Sequence, residues 1–353
     1  MGVRYYQILD VSLRLESSQE SLLETFHQNY GRFAVAGFQE APNLAIRFEA
    51  EGPDGPFLEV DGRRDSYEGH PFPERQAGNA ISCALMERVT AYTVLHGAVL
   101  GSAEGAMTIS GSQGAGKTTL ALALMREGWT YLSDDFCPVH RETGLVHPFP
   151  RSLWVRPRTD QDAVALNRGK VLVPMEEDGI RIESRVLPLR WLFCLVTPET
   201  DQERIHLTLR PNLGEPLLAT LRSLGWATLE ASHHSSAEWE VAYSKGEGHT
   251  AAIKALLDRN QDAIWGLYSM PDGSPDFSRQ AVLKPLSPHE AAFFLLRELK
   301  HAPTGGVERM KPGALLAHLA DILSDVRCFR LTPGELPERL DLIHGVVGKE
   351  GPI

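Results

Sequence analysis

Four cysteines in 353 residues, Cys83, Cys137, Cys194 and Cys328, stand far apart and form no C-x-x-C pair. That scarcity excludes a disulfide scaffold and a cysteine-built zinc site, and reduced thiols fit a cytoplasmic protein. No run of 18 uncharged apolar residues occurs, so no membrane-spanning segment is expected. The opening MGVRYYQILD has no apolar core of signal-peptide length, and Tyr6 stands where a myristoylation motif needs Ser or Thr. Basic charge is also short. Lys and Arg number 35 against 46 Asp and Glu, a formal net charge of −11, and no five basic residues run together. An acidic chain repels a phosphate backbone, so nucleic acid is not an expected partner.

What is present is an ordinary globular balance, 42% hydrophobic and 23% charged, in a chain long enough for about two domains. Before residue 75, Val11–Leu15, Leu44–Glu49 and Phe57–Val60 alternate apolar and polar positions, and Asp61-Gly62 supplies a turn. These segments predict a small, mainly antiparallel β module. The spacing of Ile81, Leu85, Val89 and Tyr92 predicts an amphipathic helix over 80–94. Strands are expected at Gly97–Leu100, Ala106–Ser110, Trp129–Ser133 and Leu192–Thr197, with a helix at Thr119–Glu127 closed by Gly128. Strands alternating with helices indicate an α/β core. Further on, Ser287-Pro288-His289-Glu290 and Thr332-Pro333-Gly334-Glu335 each carry an N-cap, proline and capping-box glutamate. The expected division is a β-rich module at 1–78, an α/β core at 79–270 and a helical region at 271–353, with MPDGSPD near residue 270 as linker or long loop.

The strongest motif is Gly111-Ser112-Gln113-Gly114-Ala115-Gly116-Lys117-Thr118, a full match to G-x-x-x-x-G-K-[ST] between an expected strand and an expected helix. Glycines let the backbone curl so that successive N–H groups face phosphate oxygens. Lys117 adds positive charge at the β- and γ-phosphates, and the Thr118 hydroxyl reaches Mg²⁺. The following helix, beginning with Thr119, adds the partial positive charge of its N-terminus. ATP is thus expected on residues 111–119.

Asp134-Asp135 closes a strand 17 residues after Lys117. Ligands of open α/β sheets gather at the carboxyl ends of strands, which places this pair toward the loop. One carboxylate can hold Mg²⁺ while the other accepts a proton from an attacking hydroxyl. Adjacent carboxylates also push one pKa upward, as a base requires. Thr118 and Asp134 are the candidate metal ligands, and both Asp134 and Asp135 stand as candidates for the base. His96 beside an apolar strand reads from the residues alone as a hydrogen-bonded structural group. Arg151, after Pro148-Phe149-Pro150, reads as a solvated surface arginine, with a phosphate clamp as the alternative. His233, His234 and His249 show no ligand spacing.

Taken together, residues 96–135 resemble the HPr kinase/phosphorylase family, whose catalytic domain is similar to phosphoenolpyruvate carboxykinases. The family has His-Gly opening a strand 15 residues before the first loop glycine, as His96-Gly97 precede Gly111. Its loop, amphipathic helix ending in Gly, and strand ending in Asp-Asp correspond to Gly111–Thr118, Thr119–Gly128 and Trp129–Asp135. The resemblance implies a P-loop core of that type, and ATP- and Mg²⁺-dependent phosphorylation of a serine on a small protein or ribosomally made peptide. It makes His96 an active-site residue with Asp134, Asp135 and Lys117, and it implies a homo-oligomer.

The chain also departs from the family pattern. Asp134-Asp135-Phe136-Cys137-Pro138 lacks the glutamate of Asp-Asp-x-Val-Glu, Thr119 replaces a glutamate after the loop hydroxyl, and Arg168-Gly169-Lys170 is a remnant of the Arg-Gly-x-Gly signature. Those departures point toward the divergent HPr-kinase-like proteins rather than a kinase of HPr itself. Two alternatives share the loop. A small-molecule kinase is one, although such enzymes usually begin close to the loop and here about 110 residues precede it. The other is a nucleotide-binding regulatory protein with weak ATPase activity.

Overall fold

Alternation of side chains decides the first sheet. The structure is a computed structural model that describes residues 1–51, 55–68, 73–112, 114–155, 171–173, 180–196, 202–210, 213–224, 227–230, 238–244, 247–270, 277–299 and 310–348. Strands β1 (Gly2–Ile8), β2 (Val11–Ser17), β3 (Ala34–Val35), β4 (Leu44–Glu49), β5 (Phe57–Val60) and β6 (Arg63–Ser66) form a sheet in the order β3-β1-β2-β4-β5-β6. In β2, Val11, Leu13, Leu15 and Ser17 are buried while the residues between them are not, the period-2 pattern of a half-solvated sheet. Four of its pairings are antiparallel, and β2 with β4 is parallel. Helix α1 (Glu20–Tyr30) lies between those two strands in the chain, as a parallel pair needs a long crossover. The Asp61-Gly62 turn is built as expected, with φ of +47° and +83°, the left-handed pair that closes a two-residue hairpin.

Helix α2 (Pro73–Arg88) sets Ala77, Ile81, Leu85 and Met86 into the same apolar cluster as β1, β2, β4 and α1. The expected helix over 80–94 therefore ends early. Tyr92–His96 is strand β7, and Tyr92 and Val94 reach that cluster from a sheet instead. An aromatic and a β-branched residue at alternate positions favour the pleated strand over another helical turn. Asp10 Oδ2 holds the junction, accepting hydrogen bonds from the Thr90 and Ala91 N–H groups at 2.8 Å each.

The central sheet adds β8 (Ala98–Gly101), β9 (Ala106–Gly111), β10 (Thr130–Ser133), β11 (Phe136–His140), β12 (Leu145–Val146) and β15 (Leu187–Leu195). Between them in the chain lies a ribbon of β13 (Leu153–Val155) and β14 (Val171–Val173). Along one path the order is β10-β8-β9-β15-β12-β11-β7. Helix α3 (Lys117–Arg126) follows β9 and packs Leu120, Ala121 and Leu124 onto it. Gly128, at φ +108°, stops this helix and donates to the Met125 carbonyl at 3.0 Å, as its position predicts.

A separate sheet orders β17 (Ala227–Glu230), β18 (Glu238–Ser244), β16 (Gln202–Leu209) and β19 (Ile264–Met270), accompanied by α4 (Gly214–Ser223) and α5 (Glu247–Arg259). The last third is not purely helical. Besides α6 (Pro288–Leu299), α7 (Pro312–Ile322) and α8 (Leu336–Val347), it contains β20 (Leu283–Leu286) and β21 (Arg327–Leu331). β21 runs parallel beside β15, so the C-terminal segment completes the central sheet. The Ser287 box forms: the Ser287 N–H donates to Glu290 Oε2 at 2.8 Å, and the Glu290 N–H to Ser287 Oγ at 3.3 Å. The Thr332 box does not. Glu335 is the residue before α8, and Thr332 Oγ1 accepts the Val282 N–H at 2.8 Å. MPDGSPD falls at 270–276, of which only Met270 is among the described residues, and Arg168–Lys170 and His233-His234 lie outside them.

Among the described residues no helix is long and apolar enough to cross a membrane. All four cysteines are free thiols. Three are buried, and burial pushes Cys137 up to about 12.

Candidate functional site

Register brings the site together. Val99 of β8 pairs with Thr108 of β9 on one side and with Ser133 of β10 on the other. β8 is antiparallel to both, so β9 and β10 run the same way and end on one edge of the sheet. That edge carries Gly111 and its loop, the Asp134-Asp135 pair and the incoming His96-Gly97. Two short bonds tie these segments. Ser110 Oγ donates to the His96 carbonyl at 2.6 Å, and the Gly97 N–H donates to the Asp135 carbonyl at 3.2 Å. Gly97 is required here, because a Cβ would stand 2.7 Å from the Ile109 carbonyl oxygen.

In the loop, the Ala115 N–H donates to the Ser112 carbonyl at 3.2 Å, and Gly116 enters α3 at φ +92°. Only a residue tolerant of left-handed backbone suits that point. Lys117 is buried, and its Nζ donates to the Gly111 carbonyl at 2.7 Å and to the Ser112 carbonyl at 3.3 Å. Its ammonium is therefore held over the loop itself. Thr118 is half-buried and Thr119 exposed at the start of α3, while Gln113 lies outside the described residues. Chemically, this is a curled backbone closing on a helix N-terminus with a lysine ammonium across it, a donor set that fits an anionic phosphate chain.

Asp134 is buried, and Asp135 is half-buried with φ +71°. Aspartate is among the few residues that accept this conformation. His96 is half-buried, and its Nδ1 lies 3.1 Å from the Asp135 carbonyl. A carbonyl only accepts, so the Nδ1 position carries the proton. Among the described residues, no three His, Cys, Asp or Glu side chains gather as a metal cluster. Mg²⁺ does not require one, because it keeps waters and shares one or two carboxylates with substrate phosphates. Thr118, at the start of α3, and Asp134, after β10, carry oxygen donors of the kind such a site uses.

Arg151 is not a solvated surface residue. It is partly buried, with its Cζ 5.1 Å from the Tyr30 ring centroid and 5.0 Å from that of Phe136. Burial works to lower its pKa, but the nearby Tyr30, Asp135, Tyr131 and Asp134 outweigh that and leave it raised. The segment is clamped from both sides. Tyr131 O–H donates to the Arg151 carbonyl at 2.9 Å, and Ser152 Oγ donates to the Gln28 carbonyl of α1 at 2.7 Å. Phe149, edge-on to Tyr30 and Phe136 and tilted against Phe33, extends the N-terminal apolar cluster to the aspartate edge.

A second arginine was missed in sequence. Arg339 of α8 is 3% exposed, and its Nη1 reaches within 3.2 Å of where a Cβ on Gly116 would stand. The available signal was its spacing from Ile343 and Val347, which puts a charge in an apolar stripe. No protein-family model matches this chain, and no curated protein matches its sequence.

Proposed function

We propose that this protein is an ATP-dependent phosphotransferase, an HPr-kinase-like serine kinase acting on a small protein or ribosomally made peptide. One observation carries the reading: a lysine-bearing glycine loop, a pair of aspartates and a histidine converge on a single sheet edge. Phosphoryl transfer needs little covalent help from a protein beyond positioning, charge stabilisation and a base.

Each residue then has a task. The loop N–H groups and the α3 N-terminus hold the phosphate chain of ATP, and Lys117 exchanges its loop carbonyls for phosphate oxygens. Thr118 and Asp134 would hold Mg²⁺, which supplies charge neutralisation at the phosphates when bound. Asp135 takes the proton from the acceptor serine hydroxyl as its oxygen attacks the γ-phosphorus and the bond to the β,γ-bridging oxygen breaks, releasing ADP, or Asp134 does so with the roles exchanged. His96, with its Nδ1 proton committed to the Asp135 carbonyl, fixes the backbone that presents this aspartate. Arg151 offsets the negative charge of the pair.

The test is a transfer assay with γ-labelled ATP and Mg²⁺, offering peptides and small carrier proteins encoded beside the gene and reading intact mass. A serine phosphate gained by one of them is the expected result. Lys117→Ala should reduce transfer by on the order of a thousandfold, the scale of losing one fixed charge-stabilising donor. Unimpaired transfer by Lys117→Ala overturns the site. ATP hydrolysis with no acceptor phosphorylated would place the chain among nucleotide-dependent regulators instead.

A further inference from the structure

Helix α8 buries Arg339, Ile343 and Val347, one stripe at i, i+4 and i+8. Ile343 and Val347 do what such positions usually do and join the apolar cluster of β9 and α3. Arg339 does not. Among the described residues no carboxylate or carbonyl pairs with its guanidinium, and its Nε meets no acceptor. The Phe277 ring, 5.8 Å from Cζ, covers a face of the group without accepting its N–H bonds. Burial alone pulls its pKa down to about 10, with no neighbouring charge countering it.

A buried cation without a partner is among the costliest arrangements in a protein, and an apolar side chain of similar volume is usually no worse. Its place in the fold supplies the reason for keeping it. Nη1 stands against Gly116, whose left-handed backbone opens α3 beside Lys117 and which has no side chain to cap the helix. Two contacts hold α8 there: Ile343 and Val347 in the core, and His344 Nε2 at 2.7 Å from Glu127 Oε2 at the far end of α3. The unpartnered guanidinium thus stands at the uncapped N-terminus of α3, beside the residue that precedes Lys117 in the loop.

We infer that Arg339 is a phosphate-binding residue of the loop, taking phosphate oxygens of a nucleoside triphosphate alongside Lys117. This rests on reading the loop as a nucleotide site. It gives the C-terminal segment a direct part in that site, through a residue about 220 positions beyond the motif. An anion seated there supplies the acceptors that the described residues lack.

Arg339→Met, near in volume and neutral, and Arg339→Lys separate this role from a packing role. Thermal unfolding without ligand and calorimetric titration with ATP, ADP and inorganic phosphate provide the readouts. Without ligand, Arg339→Met should melt at or above the wild-type temperature, since it removes an uncompensated charge. Its ATP Kd should rise roughly tenfold to a hundredfold, the range of one charge-assisted hydrogen bond. Arg339→Lys should recover part of that loss, as it keeps the charge but not the planar fork.

Wild-type protein that binds ATP while Arg339→Met binds it equally well sinks the arginine assignment alone. Wild-type protein that binds no ATP sinks the reading of the loop, and this one with it. Should Arg339→Met fail to fold, ATP affinity in Arg339→Lys decides, and an unchanged value overturns the inference. A response to inorganic phosphate without preference for ATP would show a free-phosphate site and also overturn it.

Discussion

Two arginines flank the candidate site, and their surroundings differ in one respect. Arg151 enters from the side packed against the N-terminal sheet, and Arg339 from the C-terminal helix. Neither Nε meets an acceptor among the described residues. Around Arg151, however, the charges of Asp135 and Asp134 and the phenols of Tyr30 and Tyr131 hold its pKa above the ordinary value. Around Arg339 burial acts alone, and the value falls to about 10. The charge of the first cation is offset by neighbours within the fold, whereas among the described residues no charge offsets the second. Internal compensation therefore distinguishes a group that builds the site from one that reads its ligand.

That contrast is sharpened most by separating chemistry from binding on the Arg151 side. Asp135→Asn should lower phosphoryl transfer by about a hundredfold to ten-thousandfold, the range for losing a general base, while leaving ATP affinity unchanged. Asparagine tolerates the +71° φ of this position, and His96 bonds to the main-chain carbonyl, so the fold should be undisturbed. Asp135→Ala should show the same kinetic loss and a further stability cost of about 1–2 kcal/mol, because alanine is strained there. Equal transfer by Asp135→Asn would move the base to Asp134.

Next comes the direct opposition of the two cations. Arg151→Met should destabilise the free protein by about 2 kcal/mol, since it removes a cation that lies over two aromatic rings and near the charges of Asp135 and Asp134. The same substitution at Arg339 should not destabilise it. Urea unfolding of both variants, and of the double variant, checks this. Among the described residues the two arginines share no partner, so the two effects should add within about 0.5 kcal/mol. If both variants lose stability equally, the distinction between a built-in and a ligand-awaiting charge fails.

Local signals carried much of this architecture, and particular residues show where they stopped. Val11–Leu15 alternates in the structure and Leu44–Glu49 nearly throughout, whereas Phe57–Val60 buries its first two residues together. Gly128 and the Ser287–Glu290 box end or begin helices by short-range bonds. The loop and the aspartate pair are legible because their chemistry is contiguous in sequence. β21 is not. Its neighbour β15 lies about 130 residues earlier, and parallel pairing across such a distance leaves no local pattern. Tyr92 was misplaced for a related reason, since one apolar residue fits either a 3.6 or a 2.0 period and only the pairing of β7 with β11 decides. The surroundings of both arginines come from neighbours distant in the chain, Tyr30 of α1 for Arg151 and Gly116 for Arg339, and leave no local pattern.

The smallest predicted effect concerns a third charge that sets the scale for the other two. Glu183 is buried at the edge of β10 and fully engaged: the Arg185 side chain donates to it at 2.9 and 2.7 Å, the Arg185 N–H at 2.9 Å, and Thr130 Oγ1 at 3.3 Å. The Arg185 bonds hold its pKa at about 2, below the ordinary 4.5. A folded pKa lowered in this way stabilises the protein fully above the unfolded value. The contribution disappears as pH falls from about 4.5 through about 2, because the unfolded chain binds the proton first. Arg185 is largely exposed, so screening reduces the contribution to about 1–2 kcal/mol. Wild-type stability measured between pH 6 and pH 2.5 should therefore fall by that much more than the stability of Glu183→Gln. Parallel curves would mean that this carboxylate is not held by its partners, and that a buried charge in this fold can go uncompensated without awaiting a ligand.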